Sequence, residues 1–76
     1  MNQFTKITHD IDIMGGKACI AGTRVTVGMI IAQLSDGKTA ETLVSEYPYL
    51  SHADIFEALK YAAWVIDSNE MSIASA

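Results

Sequence analysis

Two histidines, one cysteine, one arginine and a Tyr–Trp pair carry most of the chemistry available to this 76-residue chain. Cys19 with His9 offers a nucleophile and a base. Cys19 lies in the apolar run Ala18-Cys19-Ile20-Ala21, however, where a thiol behaves as a small hydrophobe with nothing to hold a thiolate. Ser51, His52 and Asp54 have the residue types of an acyl-transfer triad, but neighbours at a helix start point in different directions and are accounted for by capping. His9, Asp10 and Asp12 have the types of metal ligands, yet strand alternation sends His9 to the face opposite the two aspartates. Gly15, Gly16 and Gly22 are spaced for a hairpin, and no G-x-x-x-x-G-K-[ST] phosphate loop is present. With no acid, base and nucleophile converging, the residues predict no catalytic site, no metal site and no cofactor, and the chain is not read as an enzyme.

What remains is the chemistry of contact. Arg24 is the only arginine, and its planar fork at a turn suits a phosphate or a partner's carboxylate; the alternative is an internal pairing that fixes the turn. Lys17, Thr23 and Arg24, with Lys38 and Lys60, form the candidate DNA-contacting set. Tyr61 and Trp64, with Glu57, form the candidate partner or dimer interface, because two aromatics on one helix face supply large apolar area at low rotamer cost. The alternative for Trp64 is cover by the carboxy-terminal tail or the hairpin.

Charge limits these options. The chain carries a net charge of −4, which excludes a polybasic nucleic-acid or membrane-surface binder. Only residues 1–25 hold a cationic excess, with Lys6, Lys17 and Arg24 against Asp10 and Asp12. DNA contact is therefore expected to be weak for the chain alone and to need a partner or a second copy. The segment MNQFTKITHDIDI has polar and acidic groups where a signal peptide needs a cationic region and an apolar run, and no stretch reaches membrane-spanning length. With a lone unpaired cysteine, this predicts a cytoplasmic protein.

The elements that must position these residues follow from period and punctuation. Ile7, Ile11 and Ile13 alternate with polar residues and place one face of a strand, with His9 on the same side. Gly15-Gly16 reverses the chain, Ala18–Ala21 returns, and Gly22-Thr23-Arg24 turns again, a hairpin over about 7–25. A first helix is expected over about 27–36, capped by Thr26, with Val27, Ile30, Ile31 and Leu34 as its stripe and Gly37 ending it. A second is expected over 40–47, capped by Thr39, burying Leu43, Val44 and Tyr47 and stopped by Pro48. Ser51 and Asp54 have capping-box spacing for a third helix over 52–68. There Ile55, Phe56, Leu59, Ala62, Ala63 and Ile66 cluster within about 100° of arc, which predicts the core face, and the residues beyond are expected to fray. The expected fold is mainly α: an N-terminal β-hairpin followed by a three-helix, helix-turn-helix-like (homeodomain-like) bundle, one domain over 1–76.

A core this small rarely leaves a margin above about 3–5 kcal/mol, and one cysteine excludes an internal disulfide. Association is the remaining source of stability, so a homodimer or a protein partner is expected.

The segment Gly16-Lys17-Ala18-Cys19-Ile20-Ala21-Gly22-Thr23-Arg24-Val25-Thr26-Val27 resembles the GKPCIxGTRI signature of the domain-of-unknown-function family 433, with Ala18 where the pattern has proline. Gly37-Lys38-Thr39-Ala40-Glu41, Tyr47-Pro48-Tyr49-Leu50 and Asp54–Ala63 are similar to its G-x-S/T-x-E, YPxL and DIxxALxYAA motifs, in the same order over about residues 7–66. The resemblance implies a cytoplasmic prokaryotic protein of helix-turn-helix-like fold, regarded as the antitoxin of a toxin–antitoxin pair whose toxin is a PIN-like ribonuclease. A dimeric interaction module, or a transcriptional regulator not linked to a toxin, is the other reading.

Overall fold

The computed structural model describes residues 4–75. Strands β1 (Ile7–His9) and β2 (Ala18–Ile20) pair antiparallel with Ile7 opposite Ile20 and His9 opposite Ala18. Helices α1 (Val27–Ser35), α2 (Ala40–Glu46) and α3 (His52–Ser75) follow. This is the mainly α, hairpin-plus-three-helix architecture expected from the sequence. Its core is Ile7, Ile20, Val25, Val27, Ile30, Leu43, Leu50, Ile55 and Ala58, so every element contributes.

The punctuation is placed as expected. The Thr26 hydroxyl accepts from the Met29 N–H at 3.0 Å, and the Thr39 hydroxyl from Thr42 at 3.1 Å, each satisfying a donor that the helix start leaves open. Ser51 and Asp54 close a reciprocal box: the Ser51 N–H donates to Asp54 Oδ2 at 2.9 Å and the Asp54 N–H to Ser51 Oγ at 3.2 Å. Gly15 and Gly16 hold φ of +68° and +87°, the left-handed region that a reversal needs.

Three expectations are corrected. The first strand stops at His9 rather than running to Ile13. The Asp10 carboxylate accepts the Asp12 N–H at 2.9 Å and its carbonyl the Ile13 N–H at 2.8 Å. This local turn competes with the ladder and takes the N–H groups a strand would offer. Ile11 is consequently 77% exposed instead of facing the core. The third helix extends to Ser75, beyond the expected end at 68; Ala76 lies outside the described residues.

The third correction concerns α3, whose expected core face is buried only in part, at Ile55 and Ala62. Ile55 and Ala58 are fully buried with Tyr61 and Ala62 packed beside them, whereas Phe56, Leu59 and Ile66 of the expected core face are 53%, 39% and 54% exposed, and Ala63 is exposed. The helix has two apolar stripes. The one holding Ala58 and Ala62 is narrow enough for β1 and α1 to approach the α3 backbone closely, and that approach decides the matter.

Candidate partner-binding surface

Gly28 and Ala32 on α1 and Ala62 on α3 line an open groove of about 760 Å³ beside the contact between the two helices. Val27, Met29, Ile31, Val65 and Ile66 complete its apolar walls, and Lys17 stands at its rim. Tyr61 lines the groove and also touches an aromatic cluster. Its ring meets Phe4 edge-on at 5.4 Å and Trp64 at 6.1 Å, and Phe4 lies 5.8 Å from Trp64. Its hydroxyl shares a 3.0 Å hydrogen bond with His9 Nε2, so β1 holds the ring in place. Trp64 remains 50% exposed despite Phe4, an apolar body in water at the border of an apolar groove.

Glu57 does not stand free for a partner. It accepts the backbone N–H of Lys6, and the Lys6 ammonium lies 3.8 Å from Asp54. The two carboxylates of α3 thus tie down the segment before β1, which brings Phe4 onto Tyr61 and Trp64. Glu57 therefore holds the segment that carries Phe4, and Tyr61 and Trp64 remain the candidate contact groups.

The cationic candidates are dispersed. The Thr23 hydroxyl donates to the Ile20 carbonyl at 2.8 Å and accepts the Val25 N–H at 3.0 Å, which commits it to the turn. Arg24 is exposed and has no hydrogen bond or ion pair among the described residues, against the internal pairing that was one of its two readings. It lines a shallow pocket of about 290 Å³ with Gly22, Thr23 and Tyr49. Lys38 is held by Glu46 at 2.7 Å and Gln33 at 3.1 Å, and the Glu46 hydrogen bond keeps its pKa above the usual lysine value. That contribution is present below the ordinary lysine pKa and is lost as pH rises through the raised one. Lys17 just before β2, Arg24 in the turn after it and Lys60 on α3 remain as exposed cations.

His9 and Cys19 occupy opposite faces of the β ladder, Cys19 buried beneath the Thr26 bridge and His9 exposed at Tyr61, so they form no dyad. Among the described residues no group of three His, Cys, Asp or Glu side chains could hold a metal ion, and no helix is long and apolar enough to cross a membrane. Sequence reasoning missed the groove and the part played by Phe4. The signal for the groove was present in the small residues Gly28 and Ala32, at i, i+4 spacing on α1, and Ala62 on α3.

A hairpin leading into three helices, with α2 and α3 joined by a short turn, defines a helix-turn-helix-like α domain with an apolar groove beside α3. A family model described as "Protein of unknown function (DUF433)" matches residues 7–62, and the chain belongs to that family. A similar solved structure is a DUF433 member protein from Anabaena variabilis, 28% identical with a TM-score of 0.78 over 91% of this chain and 68% of that one. No curated protein matches the chain.

Proposed function

We propose that this protein is an antitoxin: a small binding protein that occupies and blocks a PIN-like ribonuclease toxin. The observation that carries the reading is the apolar surface running from the α1–α3 groove across Tyr61 to the half-exposed Trp64. A groove of this kind takes an amphipathic helix or extended segment of another protein, with Trp64 as the anchor at its edge. The charge balance is complementary, since a nuclease needs cationic surface to bind RNA and this chain carries a net −4. Blocking would be steric and electrostatic, with no chemistry performed by the antitoxin itself.

The test is co-expression with the product of the adjacent gene. The expected result is a co-purifying complex with suppressed ribonuclease activity, released by Trp64→Ala with a loss of at least about 2 kcal/mol, roughly 30-fold, in affinity. Two proteins that neither co-purify nor change each other's toxicity would remove this reading. Promoter binding is the secondary activity. Its cations are Lys17, Arg24 and Lys60, and few phosphate contacts per chain imply a shallow salt dependence that steepens when copies assemble.

A further inference from the structure

The outward side of α3 carries a second apolar stripe, Phe56, Leu59, Ala63 and Ile66, at successive spacings of three, four and three residues. That is the spacing of a coiled-coil seam, and none of the four is buried. In a helix-turn-helix domain this side of the third helix faces DNA. Here it presents large apolar groups and a single cation, Lys60, which is poor chemistry for phosphates.

We infer that this stripe joins two copies of the chain, with their α3 helices packed antiparallel about a two-fold axis level with Ala63. The small side chain of Ala63 at the crossing lets the backbones approach. Leu59 of each copy then lies beside Ile66 of the other. Lys60 and Asp67 flank the stripe on one side, two turns apart. The antiparallel arrangement sets Lys60 of each copy against Asp67 of the other, while a parallel pair in register leaves both without an opposite charge. Ile66 is the one residue this contact shares with the groove, so Leu59, which is not a groove residue, separates self-association from the proposed toxin binding. The contact also covers Lys60 and the side of α3 that would read DNA, so promoter contact by the assembled dimer is left to the Lys17 and Arg24 of both copies.

Sedimentation equilibrium of the full chain alone, with no toxin present, tests the inference separately from the proposed function. The wild type should be dimeric at concentrations on the order of 50 µM, within the range of specific but modest interfaces. Leu59→Glu with Ile66→Glu should be monomeric with an unchanged helical circular dichroism spectrum, and Trp64→Ala should remain dimeric. Lys60→Glu and Asp67→Lys should each raise the dimer Kd about tenfold, and the two together should restore it. These two residues are exposed, so the charge swap decides the matter even where the apolar variants fail to fold. A monomeric wild type, a dimer that survives the double glutamate variant, or a charge swap that does not restore binding would overturn the inference.

Discussion

The two apolar stripes of α3 lie side by side on one helix and have opposite fates. One, running through the buried Ile55 and Ala58 to the partly buried Ala62, is built partly from the smallest side chains and packs in the core. The other, Phe56, Leu59 and Ile66, has the larger residues and stays in water. The difference teaches that hydrophobic bulk does not choose the core of a small domain. Close backbone approach does, because interiors are packed to crystal-like density and small side chains let two elements meet closely, as at Ala58. The larger residues are left to a face where another chain can supply the missing neighbours.

Paired substitutions break this comparison most directly. Ile55→Ala should cost about 3 kcal/mol in urea unfolding, by lost transfer energy and a cavity, which is most of the margin of a domain this size. Phe56→Ala, one residue along and larger in volume, should leave the unfolding free energy of the monomer within about 1 kcal/mol of wild type, measured in a Leu59→Glu background that prevents association. Equal costs for the two would mean the helix is seated the other way round. Ala62→Leu sharpens the same point from the groove. Filling the space between α1 and α3 should reduce toxin affinity at least about tenfold while changing the folding free energy by less than about 1.5 kcal/mol. The smallest effect belongs to the caps, which place α3 but do not choose its face. Ser51→Ala should cost about 1 kcal/mol in stability with no change in the affinity ratio between wild type and Trp64→Ala.

The Tyr61 and Trp64 pair was legible in the sequence as an aromatic anchor, and the two residues do share one surface. Glu57 was placed with them on helical spacing, but its role is to hold the Lys6 backbone, a contact across 51 positions that no local pattern announces. Thr23 looked available for a phosphate, and its hydroxyl is taken up within the turn. Ile11 and Ile13 looked like strand residues by alternation. The Asp10 turn removed them from the ladder, because a short acceptor side chain competes with strand hydrogen bonds at close range.

By itself the sequence determined the order of elements and nearly all their boundaries. Those depend on capping hydroxyls, glycines that tolerate positive φ and a proline, whose effects reach only a few residues along the chain. It also determined the acidic balance, a net charge of −4, on which the proposed protein partner rests. The tertiary structure alone decided which stripe of α3 became core, that Phe4 would cover one side of Trp64, and that a groove would open between α1 and α3. These outcomes depend on how close two backbones can come and on contacts between residues far apart in sequence, where a helical period offers two apolar faces and no means of choosing between them.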